Sequence, residues 1–173
     1  MLRHFQFEIE YQCKFALITY NEIKRPHQGS DRTFYALQAF LVACGNISKI
    51  MWPQLPKKDE KRKQDLMKRG EMVRQSLSVN EDSPLANRDL RNHFEHYDER
   101  IESWYRDNKG QKFIDGFIGS RERIQRMLDV NNAKLLRHFD PETEVAVFLD
   151  ETYDLKPVVS EVKNIYERVS KLE

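Results

Sequence analysis

From Leu2 to Ile23 apolar side chains recur as Leu2, Phe5, Ile9, Cys13, Ala16, Tyr20 and Ile23, at the intervals of three and four that draw one stripe along a helix. A stripe this long must be buried, and the sequence supplies further helices to cover it. Pro26, Gly29 and Ser30 break the pattern. Ser30 or Asp31 can then cap a second helix through Tyr35, Ala39, Leu41, Val42 and Ile50, which Pro53 stops. A charged stretch from Lys57 to Lys63 leads into a third helix with Leu66, Met67, Val73 and Leu77 inward, Gly70 at a close helix contact, and its end near Val79. Ser83-Pro84 reads as an N-cap followed by proline at the first helical position. It predicts a fourth helix to about Arg106, with Leu90, Phe94, Tyr97, Ile101 and Trp104 as core stripe.

Past Asn108 the glycines Gly110, Gly116 and Gly119 punctuate a segment without sustained periodicity. Ala133–Phe139 and Glu144–Leu149 read as two strands, because Asp140-Pro141 suits the start of a type I turn and Val145, Val147 and Leu149 alternate. A last helix stacks Val158, Val162, Ile165, Val169 and Leu172 on one side. The expected fold is mainly α, an up-and-down helical bundle with a small β-hairpin before the C-terminal helix. Its single domain, 1–173, has helices at about 2–25, 31–52, 59–79 and 84–107, an irregular segment 108–132, a hairpin 133–150 and a helix 156–172.

Composition narrows the class. Apolar residues make up 39% of the chain and aromatics 11%, enough to build a core without disulfide or metal staples. With 29 basic and 28 acidic side chains the formal net charge is +1, which argues against coating nucleic acid by electrostatics alone. Cys13 and Cys44 both lie among helical apolar residues and make no disulfide framework, so a reducing, cytoplasmic setting is expected. The mixed charges of Met1–Glu8 do not resemble a signal peptide, and Gln38, Asn46, Ser48 and Lys49 interrupt the most apolar stretch. No membrane span is therefore expected.

The densest group of titratable side chains is Arg91-Asn92-His93-Phe94-Glu95-His96-Tyr97-Asp98-Glu99-Arg100. On a continuous helix the arc opposite the core stripe receives, in angular order, Arg91, Glu95, Arg88, Glu99, Asn92 and His96. Arg91 and His96 bracket it, about 140° apart. Two groups so far apart do not grip one atom unaided. If two such helices pack about a twofold axis, each His meets the partner's Arg, so the arrangement points to a homodimer with a composite cleft.

Arg91-Asn92, three residues, then His96 resembles the signature of the HEPN superfamily (higher eukaryotes and prokaryotes nucleotide-binding domain), in which an Arg precedes a His by four to six intervening residues and Asn, Asp or His often follows the Arg. The run from Pro84-Leu85 to Trp104 is similar to a prokaryotic branch of ribonucleases and toxins. The resemblance implies a HEPN-type bundle and metal-independent endoribonuclease activity on RNA, without a cofactor, in a toxin-antitoxin or phage-defence setting. A neutralising partner protein is a further implied possibility. It assigns His96 the proton transfer, Arg91 the scissile phosphate, and Asn92 the orientation of the imidazole or a phosphate contact. Glu95 and Arg88 would support Arg91. Many HEPN-like domains bind nucleotides or assemble without cutting, so a noncatalytic dimer that binds nucleotide or a partner protein stands beside the enzyme.

Other readings compete on the same residues. His93, His96, Asp98 and Glu99 could be drawn as metal ligands, but the HExxH order is absent and no Cys lies nearby. Some members of the resembling family carry a modified tyrosine two residues after the His; here that position is Asp98, and Tyr97 falls in the expected core stripe. Lys57, Lys58, Lys61, Arg62, Lys63, Lys68 and Arg69 could guide RNA, though Asp59, Glu60 and Asp65 interleave them as on a solvated helix face. Arg121, Arg123 and Arg126 form a second basic group. His4, His27 and His138 are given no role.

Overall fold

The computed structural model describes residues 1–25, 29–87, 96–128 and 133–172. It is mainly helical, with a small sheet before the C-terminal helix. Helix α1 (Leu2–Ile23) lies between α2 (Ser30–Met51) and α6 (Leu155–Val169). Asn46 Nδ2 donates to Gln12 Oε1 across the α1–α2 seam at 3.2 Å, and the Tyr20 and Phe40 rings lie 6.1 Å apart farther along, so these two helices run antiparallel. The predicted stripe of α1 is the buried one: Ile9, Cys13, Ala16 and Ile23 are in the core, with Leu2, Phe5 and Tyr20 packed against it. Opposite them Phe7, Tyr11, Phe15 and Ile18 form a second apolar row that stays exposed.

Helix α2 is the centre of the core, burying Phe34, Leu37, Phe40, Leu41, Cys44, Ile47 and Met51. By length and composition it is apolar enough to cross a membrane, and 61% of its most apolar window is buried inside the protein. Its N-cap is Gly29, in an extended conformation (φ −65°, ψ 161°), one residue before the expected Ser30 or Asp31. Asp31 instead sits in the first turn, where its charge complements the helix dipole.

Helix α3 (Glu60–Ser76) is capped by Asp59, whose carboxylate accepts from the Arg62 amide at 2.9 Å. Val73 is buried on α3, with Leu77 just beyond it, but Met67, expected inward, is exposed. Gly70 does mark a close approach: a Cβ there would stand 2.6 Å from the Met51 carbonyl oxygen. The helix ends in a Schellman motif, with Val79 N–H on the Arg74 carbonyl (2.9 Å), Ser78 N–H on that of Gln75 (3.1 Å), and Ser78 at φ 51°. Arg168 of α6 donates to the Leu77 and Ser78 carbonyls at 3.0 and 2.6 Å and ties this end to the bundle.

The expected fourth helix is not continuous. Ser83 caps, as its sequence implies, but Pro84–Ala86 is one turn of 3₁₀ helix and Asn87 is extended. Asn87 suits a turn better than a helix interior, because its amide competes for backbone hydrogen bonds. The next described residue, His96, has φ −123° and ψ 41° and is the N-cap of α4 (Tyr97–Asp107). Of the predicted core stripe, Leu90 and Phe94 lie outside the described residues; Tyr97 and Trp104 are half-buried and Ile101 is exposed, so α4 buries no residue fully. Polar contacts hold it instead: Trp104 Nε1 donates to Asp150 Oδ2 at 2.8 Å, and Arg100 pairs with Glu151.

Residues 108–132, expected to be irregular, contain β1 (Phe113–Ile114), β2 (Phe117–Ile118) and α5 (Arg121–Leu128), separated by Gly116 and Gly119 at positive φ. β3 (Lys134–Leu135) pairs in parallel with β1. The predicted hairpin is β4 (Arg137–Asp140) and β5 (Val145–Phe148), antiparallel, with Asp140 Oδ1 accepting from the Glu142 amide at 3.0 Å in the turn. It sits inside a larger mixed sheet, β2-β4-β5-β6, whose last strand is Glu151–Asp154. The β5–β6 turn places Leu149 and Asp150 both at positive φ without a glycine. Their amides donate to the Leu136 and Leu135 carbonyls, both at 2.9 Å, and Asp150 Oδ1 accepts from the Leu135 amide, which holds the strained turn. One sheet face sends Phe139, Ala146, Phe148 and Tyr153 into the main core; Val147 on the other meets Ile124 of α5 and Leu135.

Candidate functional site

His96 stands at the head of α4 with its side chain 64% exposed, Nδ1 3.9 Å from Glu99 Oε2. That spacing lets Glu99 attract an imidazolium across solvent, a weak contact at such exposure. The first turn of α4 also carries Asp98, so this helix end is acidic. A phosphate brought here needs positive charge from elsewhere. Arg91, Asn92, Glu95 and Arg88 lie outside the described residues, as does His93. The separation of about 140° presupposed a helix running unbroken through His96; because α4 begins after His96, that angle does not describe the site.

The residue after His96 lines a cleft. Tyr97, with Asp31, Tyr35 and Gln38 of α2, Asp115 of the β1–β2 turn and Arg137 of β4, surrounds an open cavity of about 500 Å³. Arg137 donates from Nε and Nη2 to the two Asp115 oxygens at 2.7 and 2.5 Å, a bidentate pair. This hydrogen-bonded carboxylate raises the Arg137 pKa further. Burial pushes the Tyr97 phenol up, with Asp115 adding to the shift and Arg137 opposing it. The floor is Phe34 and Phe148, edge to face at 6.2 Å.

No local spacing announces this cleft. Its members come from α2, α4, a two-residue turn and a strand, and only the chain's path brings them together. Tyr97 itself read as a core-stripe residue, and it is half-buried at the cleft instead.

Other candidates resolve into structural roles. Arg69, in the basic stretch, lies over the Phe5 ring at 4.9 Å, with Nη2 within 3.4 and 3.5 Å of the Lys49 and Ile50 carbonyls; Arg74 donates to that of Met51. Both close the C-terminal end of α2. Lys57, Lys58, Lys61 and Arg62 are exposed, as are Arg121, Arg123 and Arg126. Cys13 and Cys44 are buried free thiols; burial, aided by Glu10, pushes Cys13 up to about 12, and burial raises Cys44 as well. Neither supplies a ready nucleophile. His138 is buried against Phe117 with Nε2 2.7 Å from the Gly119 carbonyl, an anchor for the β2–α5 turn. Among the described residues no three His, Cys, Asp or Glu side chains group as a metal site.

No family model, no curated protein and no solved structure matches this chain.

Proposed function

We propose that the protein is a cytoplasmic, metal-independent endoribonuclease of HEPN type that acts as a homodimer, in toxin-antitoxin or phage-defence biology. The observation that supports this most directly is the setting of His96: an exposed imidazole at the head of a helix that buries no residue in its own protomer and leaves Ile101 and Tyr105 open. A helix with an apolar side and no core to put it in suits packing against a second copy, and such packing brings a second imidazole and guanidinium towards the first. The acidic first turn of α4 makes the arginine necessary, since Asp98 and Glu99 alone would repel a phosphodiester.

In this reading His96 Nε2 or Nδ1 accepts the proton of a ribose 2′-hydroxyl. O2′ forms a bond to phosphorus, the bond from phosphorus to O5′ breaks, and O5′ takes a proton from water, which is made good by the His96 imidazolium. The products are a 2′,3′-cyclic phosphate and a free 5′-hydroxyl. Arg91 stabilises the charge gathering on the equatorial oxygens, with Asn92 orienting the imidazole or the phosphate, Glu95 tuning Arg91, and Arg88 in a supporting role.

Purified protein should cut single-stranded RNA in EDTA and leave cyclic-phosphate ends, and His96→Ala should remove the cutting while circular dichroism stays that of wild type. Activity that needs a divalent ion, or survives His96→Ala, contradicts the mechanism. The second reading is a noncatalytic dimer that binds nucleotide or a neutralising partner protein on the same face. The open cleft beside His96 favours it, and binding without cyclic-phosphate products would select it.

A further inference from the structure

Among the described residues, the cleft lined by Tyr97 carries more negative than positive charge, and its groups suit a base. Among the described residues its ionised side chains are Asp31, Asp115 and Arg137, and Arg137 is already matched by Asp115. Among the described lining residues no surplus positive charge offsets Asp31 against an entering anion. Hydrogen-bonding capacity remains, however. Arg137 commits Nε and Nη2 to Asp115 and keeps Nη1 for another acceptor. Asp31 makes no hydrogen bond among the described residues and lies close enough to Arg137 to raise its pKa. One wall thus offers an N–H donor beside a carboxylate acceptor. The other walls are flat and aromatic: Tyr35, on α2, is 75% exposed, and Tyr97 lines the opposite element.

We infer that this cleft is a nucleobase pocket selective for guanine, in which Tyr35 and Tyr97 supply the stacking surfaces, Arg137 Nη1 donates to O6 or N7, and Asp31 accepts from N1–H and N2–H. Guanine carries an acceptor next to two donors, the complement of that wall; adenine offers only one donor group there, its N6 amine. A volume of about 500 Å³ admits a base with its ribose. Single-stranded RNA is recognised in this manner, by bases pulled out of stack and read on their edges. Tyr97 directly follows His96 in the chain, so a base held here lies near the head of α4. Selection of the base at the cut therefore rests on the ribonuclease reading above; binding of the free base does not.

Calorimetric titration of the full chain with guanosine, GMP, adenosine and inorganic phosphate tests the pocket. Guanosine should bind saturably in the millimolar range or tighter, GMP at least as tightly as guanosine, and adenosine about tenfold more weakly. Inorganic phosphate should not displace guanosine. Tyr35→Ala, at an exposed position that does not endanger the fold, should weaken guanosine by about tenfold, and Asp31→Asn should narrow the gap between guanosine and adenosine. Guanosine displaced by inorganic phosphate, guanosine binding unchanged in Tyr35→Ala, or no saturation by roughly 10 mM overturns the proposal. The two readings fail separately. Guanosine binding without RNA cutting removes the enzyme and keeps the pocket; cutting without guanosine binding does the reverse.

Discussion

Replacing Gly70 by alanine puts a methyl group where α3 crosses the end of α2. The added Cβ would stand 2.6 Å from the Met51 carbonyl oxygen, 2.8 Å from Pro53 Cδ and 3.1 Å from Arg74 Nη1. The first two belong to backbone and a proline ring, which cannot swing aside as a flexible side-chain tip would. The third donates the hydrogen bond that satisfies the Met51 carbonyl, so the methyl also crowds that bond. Overpacking of this kind costs about 1–3 kcal/mol, and weakening a charged hydrogen bond adds about 1 kcal/mol. Against this, alanine gains about 1 kcal/mol over glycine within a helix. The balance is a loss of about 2 kcal/mol, or roughly 4–8 °C in Tm for a domain of this size. Urea unfolding followed by tryptophan fluorescence reads it locally, because Trp52 lies under the Arg74 guanidinium at 5.4 Å. Wild type and variant must be compared at one protein concentration, since association shifts apparent stability. Exposed Glu71→Ala, one residue on, should stay within about 0.5 kcal/mol of wild type. A Gly70→Ala protein as stable as wild type, or about 1 kcal/mol more stable as a free helix position would be, refutes the close approach of α3 to α2.

Tyr105→Glu, on the open side of α4, should convert the dimer to a monomer and lower RNA cutting by about 10²-fold or more, with circular dichroism unchanged; light scattering that still reports a dimer would take α4 out of the interface. Glu144→Gln removes the charge and one of the two oxygens that accept from Tyr20 Oη (2.8 Å) and Lys24, and should destabilise by about 1–2 kcal/mol at pH 7, the half-exposed lysine counting for little. Burial pushes the Glu144 carboxyl up, but the hydrogen bonds from Lys24 and Tyr20 outweigh it and hold the group below its ordinary 4.5. Its contribution is therefore complete above that value and lost as pH falls through the lowered folded pKa. Urea midpoints of wild type and variant should converge on going from neutral to acid pH; a gap that stays constant contradicts the assignment.

Elements that bury one face on their own protomer were legible. The spacing of Ile9, Cys13, Ala16 and Ile23, or of Val158, Val162, Ile165 and Val169, is a direct imprint of packing, and α1 and α6 follow it closely. Helix α4 shows where the same signal runs out. Tyr97, Ile101 and Trp104 are spaced as a core stripe, yet periodicity reports an apolar face without saying what covers it. The interruption before α4 was legible only in hindsight: Asp98 and Glu99 in one turn and Arg106 in another are the charges of a helix that starts at Tyr97. Strand β6 was hidden because Glu151-Thr152-Tyr153-Asp154 carries a single apolar side chain and its turn, Leu149-Asp150, contains no glycine. Of the candidate site, His96 could be picked from its motif. Arg137, Asp115 and Tyr35 could not, since they are neighbours only after the sheet has folded against α2.

The central claim is that each catalytic centre draws His96 from one protomer and Arg91 from the other. Mixing two inactive variants tests it: His96→Ala and Arg91→Ala are purified separately, unfolded together, refolded as one population and assayed on single-stranded RNA. Half of the resulting dimers pair one variant with the other, and each of these regains one intact centre, so activity should return to about a quarter of wild type. A mixture as inactive as either variant alone contradicts the shared site.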